Sequence, residues 1–145
     1  MNIQQLMLLG PIIFVEDDPD DQEIIRLALT ELRTKHEIIF FANGKDAFEY
    51  LLNKNVNPFI IFSDINMFGI NGLKLWDKIL AEPTVKNKCF PFIFLTTSSN
   101  YGFIPEVYLK ATQGYFIKPA SLKLWKELFS TTINHWGKIK NDGKE

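Results

Sequence analysis

Acidic residues are concentrated in one short part of the chain, the stretch VEDDPDD at residues 15–21. It holds five acids in seven positions and follows the apolar run PIIF. Carboxylates crowded at the edge of an apolar core repel one another unless a cation joins them. Oxygen ligands without a nearby histidine or cysteine favour a hard divalent ion such as Mg²⁺ over zinc. The stretch therefore predicts a metal site that includes Glu16 and Asp17.

The other three acids of this stretch have a different predicted role. Asp18 precedes Pro19, a favoured first helical residue, so Asp18 can serve as the N-cap of a helix. Asp20 and Asp21 then lie in the first turn, where negative charge complements the helix dipole. The alternative is that all five acids are a solvated helix start, and polar groups elsewhere in the chain argue against it.

Three further groups that can do chemistry each follow an apolar run. Asp64 ends FIIFSD, Thr96 follows PFIFL, and Lys118 ends GYFIK. An aspartate beside a metal ion and a lysine can act as a nucleophile on a phosphoryl group. The lysine can pair with the carboxylate or with the phosphoryl group, and the hydroxyl can bond a phosphoryl oxygen. Taken singly, each residue reads as an ordinary strand-end residue, but together they predict a phosphoryl-transfer site.

The elements that must position these groups are five short apolar runs, which alternate with segments of helical periodicity. The runs are PIIFV (11–15), EIIFF (37–41), FIIFS (59–63), PFIFL (91–95) and GYFIK (114–118). Such runs are typical of parallel strands covered on both faces. Strict alternation predicts one doubly wound α/β domain without room for a second. Ligands of such sheets bind beyond the carboxyl ends of the strands, which is where the polar groups converge.

Composition excludes several classes of function. The chain has 145 residues and a net charge of −1, so nucleic acid is not an expected partner. No run approaches a membrane span and no signal peptide is evident, which predicts a cytoplasmic protein. The single cysteine, Cys89, excludes an internal disulfide and is expected to be a small buried residue. His36 and His135 are both expected at the surface, which disfavours a histidine phosphotransfer module.

Taken together, the motifs resemble response-regulator receiver domains, the phosphoacceptors of bacterial two-component signalling. The matching pieces are IIFVEDD, FSDINMFGINGLKLW, FIFLTTSSN and GYFIKPAS, which run nearly end to end. The resemblance implies a flavodoxin-like (βα)5 three-layer sandwich with a parallel five-stranded sheet in the order 2-1-3-4-5. It also implies that Asp64 accepts a phosphoryl group from a sensor histidine kinase. VEDDPDD and TTSSN further resemble a subgroup of small, stand-alone receivers, some of them paired with phytochrome-type kinases.

The same resemblance implies roles for individual residues. Four groups match the Mg²⁺ positions: Glu16, Asp17, Asp64 and the backbone carbonyl of Asn66. Thr96 matches the switch hydroxyl, Tyr115 the switch aromatic and Lys118 the phosphate-binding lysine. The implied mechanism is a switch in which Thr96 moves to the phosphoryl group and Tyr115 swings inward. The surface of the fourth helix, fifth strand and fifth helix would then change its protein partner or form a homodimer.

The expected domain organisation is an N-terminal extension at 1–10, a receiver domain at 11–137 and a loose polar C-terminal tail at 138–145. The chain is expected to act as a single-domain response regulator through an unidentified downstream protein, and not as an enzyme in the usual sense. It is an open question whether the apolar patch Leu6–Leu9 is frayed or contacts a strand edge.

The sequence departs from the family pattern in three places. Glu16 replaces the commoner aspartate. Phe68 stands where a proline is usual, so Gly69 and Gly72 are expected to supply the turn after Asp64. In NYGFIPEVYLK, residues 100–110, the glycine and proline oppose helix formation and predict a delayed fourth helix at 105–111. Two aromatics in this segment are expected either to contact a partner or to fold back onto the core: Tyr101 and Phe103.

Two other functions are considered for the same residues. An aspartate-nucleophile phosphatase generally needs a second acid two residues after its nucleophile, and this chain has Asn66 there. A degenerate receiver would bind partners without phosphorylation, but the full set of acids, Thr96 and Lys118 argues against it. Phosphorylation by acetyl phosphate that is lost in Asp64→Asn separates a phosphorylatable receiver from a degenerate one, and steady turnover of small phosphoesters would favour the phosphatase.

Overall fold

The computed structural model describes residues 10–67, 69–97 and 114–142, apart from the side chains of 141 and 142. Within these ranges five parallel strands form one sheet in the order β2-β1-β3-β4-β5, as predicted. The strands are β1 (Ile12–Val15), β2 (Ile38–Phe41), β3 (Ile60–Asp64), β4 (Phe92–Thr96) and β5 (Tyr115–Ile117). Each strand coincides with one of the apolar runs. The three central strands β1, β3 and β4 are buried on both faces, as such runs predict. The edge strands differ from this expectation, since β2 is half-buried and β5 is largely exposed.

Helices cover both faces of this sheet. They are α1 (Pro19–Leu32), α2 (Gly44–Leu51), α3 (Gly72–Ala81), the one-turn α4 (Pro83–Lys86) and α5 (Leu122–Asp142). Asp18 caps α1 as predicted, since its side chain accepts a hydrogen bond from the Asp20 backbone N–H and Pro19 opens the helix. The leader 1–9, Phe68 and the predicted helix at 105–111 with Tyr101 and Phe103 lie outside the described residues.

Alternate strand residues face opposite sides of the sheet and build two core layers. Ile13 and Val15 of β1 point to the layer under α2 and α3. Ile12 and Phe14 point to the layer under α1 and α5. All four side chains are almost completely buried, so the middle of the sheet is a rigid platform for the residues at its carboxyl edge.

The layer under α1 and α5 is built on a row of phenylalanines. In register across three neighbouring strands lie Phe40, Phe14 and Phe62, with ring centroids 5.2 Å and 5.1 Å apart. Phe129 of α5 meets Phe14 and Phe62 edge-on at 5.5 Å and 5.4 Å. Stacked and edge-to-face contacts add to the energy of burial, so this row fixes α5 on the sheet.

The amino-terminal edge of the sheet differs from expectation in two respects. The loose tail expected from residue 138 is wrong over residues 138–142, because α5 continues to Asp142. Lys140 Nζ donates to the Phe59 carbonyl at 2.7 Å and lies 4.6 Å from the Phe59 ring. The surface position expected of His36 is also wrong, since its half-buried ring stacks on Phe59 at 4.1 Å and its Nδ1 lies 2.8 Å from the Gly10 carbonyl oxygen.

The expectation of a buried Cys89 is wrong as well. Its side chain is exposed, and its backbone φ of 56° lies in the left-handed region. The residue belongs to the turn that ends α4, where the chain reverses before β4 begins, so it does not share the burial of the strand. Among the described residues, no helix combines the length and apolar character needed to cross a membrane.

Candidate functional site

The predicted site residues meet at the carboxyl edge of the sheet. Asp64 and Thr96 are the last residues of β3 and β4. Glu16 follows β1, and its backbone N–H donates to the Phe41 carbonyl at 2.8 Å. Lys118 follows β5, and its backbone N–H donates to the Thr96 carbonyl at 2.7 Å. The backbone of each residue is therefore held by the hydrogen-bonding pattern of the sheet.

Lys118 lies between three carboxylates. Its Nζ is 2.5 Å from Glu16 Oε1, 2.7 Å from Asp21 Oδ2 and 3.2 Å from Asp64 Oδ2. An ammonium group has three N–H donors, so each donor can serve one carboxylate. The Lys118 side chain is only 9% exposed, which makes these pairs less screened by solvent than surface ion pairs.

Burial dominates the protonation of this group of residues. It raises the pKa of Glu16 to about 7, although the hydrogen bond from Lys118 acts in the opposite direction. Burial also raises the pKa of Asp64 against the positive charge of Lys118. For Lys118, burial lowers the pKa, but the bonds to Asp21 and Glu16 outweigh it and raise the pKa above its usual value. Burial thus disfavours the charged forms of Glu16 and Asp64, while the carboxylates around Lys118 keep its ammonium group protonated.

Three carboxylates of the site suit a divalent cation. Ligand oxygens of Glu16, Asp17 and Asp64 all lie within 4.8 Å of one another. The set contains only oxygen donors, and the exposed Asp17 leaves one side open to the water ligands that Mg²⁺ retains. The residues present thus fit Mg²⁺ by the chemistry of their donors, and the structure brings together the three carboxylates predicted from sequence.

Asn66 and Thr96 also lie at this edge, whereas Tyr115 begins β5 and pairs with Phe94, two positions before the end of β4. The Asn66 backbone N–H donates to Asp64 Oδ1 at 3.4 Å. The buried Thr96 hydroxyl donates to the Thr97 carbonyl at 3.2 Å. Tyr115 is half-buried and packs against the core layer under α2 and α3. The role of the Asn66 carbonyl in metal binding and the switch roles of Thr96 and Tyr115 remain predictions.

Two glycines shape the loop after Asp64, as expected, but for different reasons. Gly69 has a φ of +83°, a conformation that residues with a side chain rarely adopt. Gly72 opens α3 so close to β3 that a Cβ atom would lie 2.3 Å from the Asp64 carbonyl oxygen. The second glycine therefore allows α3 to begin directly beside the predicted phosphoacceptor.

Sequence reasoning missed two residues on α1. The sequence predicts only an interaction with the helix dipole for Asp21, yet the Asp21 carboxylate contacts Lys118. Gln22 Nε2 donates to the Glu16 carbonyl at 2.6 Å and helps hold that loop. Helical spacing could have indicated the contact of Asp21, because Asp21 lies on the same helix face as Ile25 and Ala28, which are buried.

Comparison with known sequences gives the same family along most of the chain. A sequence profile of the response regulator receiver domain matches residues 12–129. A chemotaxis protein CheY homologue of Campylobacter jejuni is 28% identical over 116 residues, which cover 80% of this chain and 86% of that protein. The sensory transduction protein LytT of Oceanobacillus iheyensis is 32% identical over 109 residues, 74% of this chain but only 43% of that protein.

Solved structures give the same fold. The phosphorylated cyanobacterial phytochrome response regulator RcpA superimposes with a TM-score of 0.75 and 27% identity, over 88% of this chain and 93% of that one. The receiver domain of a Pseudomonas aeruginosa sensor histidine kinase, which has a magnesium ion in its active-site cleft, superimposes with a TM-score of 0.73. This superposition covers 89% of this chain and 98% of that one. At 20% identity this second likeness shows the fold alone. With the profile match and the carboxylate site, these likenesses show that the chain belongs to the response regulator receiver domain family of two-component signalling proteins.

Proposed function

We propose that Asp64 of this receiver accepts a phosphoryl group from the phosphohistidine of a sensor histidine kinase. Mg²⁺ would be held by Glu16, Asp17, Asp64 and the backbone carbonyl of Asn66. One observation carries the proposal: the Asp64 carboxylate belongs to a close group of three carboxylates and also lies 3.2 Å from the Lys118 ammonium. A nucleophile, a cation site and a phosphate-binding group are thus within reach of one phosphoryl group.

In the proposed reaction an Asp64 carboxylate oxygen bonds to phosphorus while the phosphorus–nitrogen bond of the phosphohistidine breaks. The released imidazole keeps the electron pair of that bond, and the product on this chain is an aspartyl phosphate. When bound, Mg²⁺ supplies positive charge that offsets the charge of the phosphoryl oxygens. The Lys118 ammonium pairs with a phosphoryl oxygen, and the Thr96 hydroxyl turns from the Thr97 carbonyl to bond another.

The proposed consequence is a change of protein partner. When Thr96 moves, it leaves room into which Tyr115 moves. This movement shifts the population of the surface near β5 and α5 from one conformation toward a second. Apolar side chains on these elements are exposed and support a protein contact there: Phe116 (38%), Ile117 (43%) and Leu124 (47%). The partner would be a downstream protein or a second copy of the chain. The likeness to a phytochrome response regulator supports a kinase of the phytochrome type.

Phosphorylation with a small-molecule donor tests the proposal. The protein is incubated with Mg²⁺ and acetyl phosphate, and its intact mass is measured. We expect a mass increase of one phosphoryl group that disappears with excess EDTA and in Asp64→Asn. Asp20→Asn is the matched control, because it removes an exposed carboxylate near the site and should still gain the group. No increase, or an increase that persists in Asp64→Asn, contradicts the proposal.

A further inference from the structure

Asp21 makes a contact in the site that the proposed function leaves unused. Its Oδ2 accepts a hydrogen bond from Lys118 Nζ at 2.7 Å, shorter than the 3.2 Å bond from Lys118 to Asp64. We propose that Asp21 is a positioning residue that holds the Lys118 ammonium when Glu16 and Asp64 bind a divalent cation. The inference rests on the proposed function and concerns how the cation site can fill.

Competition between two cations gives Asp21 this role. Lys118 bonds Glu16 and Asp64, and these are also two of the three carboxylates that can hold a metal ion. A divalent ion and an ammonium group therefore compete for the same carboxylate oxygens. Asp21 is the partner of Lys118 that lies outside the group of potential metal ligands. It gives Lys118 an ion pair that the metal does not disturb.

The position of Asp21 is well defined. It lies in the first turn of α1, which begins at the Asp18 cap and at Pro19. It is half-buried, and the same helix face buries Ile25 and Ala28, so the carboxylate is held toward the sheet edge. The contact differs from the exposed pair of Lys126 and Glu31, whose side chains are 35% and 40% exposed and which should contribute little.

Loss of Asp21 should weaken metal binding for two reasons that act in the same direction. Without its carboxylate, the bonds left to Lys118 are those with Glu16 and Asp64, and the metal must displace the ammonium from both. The negative charge near the cation also falls by one. The half-saturating Mg²⁺ concentration for phosphorylation by acetyl phosphate should therefore rise, while the rate at saturating Mg²⁺ stays close to that of the wild type.

Calorimetric titration with Mg²⁺ tests this directly. We expect Asp21→Asn to raise the dissociation constant about tenfold, as for the loss of one partly buried charged hydrogen bond. Asp20→Asn removes the same charge from an exposed position one residue away, and it should change the dissociation constant less than about twofold. Asp21→Glu should recover most of the affinity. Equal effects of Asp21→Asn and Asp20→Asn would overturn the inference.

A measurement on metal-free protein separates this inference from the proposed function. Hydrogen exchange of the Lys118 ammonium is followed by NMR, with the signal assigned through Lys118→Arg. Exchange should be faster in Asp21→Asn and unchanged in Asp20→Asn. If Asp21→Asn does not fold, Asp21→Ser is measured in its place. Unchanged exchange refutes the role of Asp21 whether or not the protein binds Mg²⁺. A wild type that neither binds Mg²⁺ nor gains a phosphoryl group refutes the proposed function instead.

Discussion

Glu16 is the residue in which the chemistry of the site and the stability of the fold conflict most. The residue is only 1% exposed, and burial raises the pKa of its carboxyl group to about 7. An ordinary glutamate ionises well below this pH, so the fold favours protonated Glu16 over the charged form that the proposed cation site requires. Functional residues often carry a cost in stability, and the burial of Glu16 is such a cost if the proposed metal role holds.

We predict that Glu16→Gln stabilises the metal-free protein at pH 8. Because the folded pKa of this acid is raised from 4.5 to about 7, its contribution to stability is lost as the pH rises through that range. The free energy of unfolding should be about 1–3 kcal/mol higher in the variant at pH 8. Urea unfolding in EDTA at pH 4.5 and 8 measures it. A variant no more stable than the wild type at pH 8 would contradict the prediction.

For individual residues, the sequence predicts the acids near the strand ends but not all of their contacts. Glu16, Asp17, Asp64 and Lys118 could be predicted because each lies within two residues of the carboxyl end of an apolar run, so the sheet alone brings them together. The contact of Asp21 with Lys118 depends on the rotation of α1 against the sheet. That rotation follows from packing of the whole helix, which a motif of seven residues does not contain.

Among the elements, the three central strands β1, β3 and β4 were predictable because burial on both faces demands unbroken apolar runs. The end of α5 was not. The segment GKIKND is polar in sequence, yet it stays helical, and Lys140 reaches back to the Phe59 carbonyl and ring. The position of Cys89 was mispredicted for a related reason, since a turn of positive φ precedes β4. Long-range contacts and turn geometry decide such boundaries, and local composition does not show them.

Removal of the Phe129 ring should test how α5 is fixed to the sheet. Phe129 is fully buried against Phe14 and Phe62, so Phe129→Ala leaves a cavity at the row of phenylalanines. We expect the free energy of unfolding to fall by about 3–5 kcal/mol. Leu124→Ala, on the same helix but 47% exposed, should cost less than about 1 kcal/mol. Similar losses in thermal or urea unfolding of the two variants would show that the row does not anchor the helix.

A second test at this scale concerns the end of α2. Lys88 Nζ donates to the carbonyls of Leu51, Asn53 and Val56, each at 2.7 Å, and so caps the helix from a distant segment. Lys88→Met leaves these carbonyls without their ammonium donor. Burial lowers the pKa of Lys88, which means that the fold disfavours its charged form, so part of the stabilisation from the three bonds is offset. We expect a loss of about 1–2 kcal/mol in the free energy of unfolding.

The control for this variant is Lys86→Met, which removes an exposed lysine from the adjacent one-turn helix. Its stability should stay within about 0.5 kcal/mol of the wild type. Amide hydrogen exchange gives a second check, because protection at the end of α2 should fall in Lys88→Met alone. Equal protection there in both variants would mean that the three carbonyl bonds do not hold the helix end.

For the molecule as a whole, the site and the core share the same strands. β1 and β3 are the strands that Glu16 follows and Asp64 ends, and they are adjacent in the middle of the sheet. Their interior residues belong to both core layers. A ligand that joins the ends of β1 and β3 therefore acts on the centre of the fold, and its binding energy should appear in global unfolding.

We predict that Mg²⁺ stabilises the whole domain against unfolding. A ligand present at 100 times its dissociation constant, and bound only by the folded state, adds about 2.7 kcal/mol. Saturating Mg²⁺ should raise the melting temperature of the wild type, whereas Asp17→Asn should respond much less, because the variant lacks one of the three grouped carboxylates. Asp20→Asn should respond like the wild type. If Mg²⁺ shifts the melting of Asp17→Asn as far as that of the wild type, the ion binds elsewhere, and the carboxyl edge of the sheet is not its site.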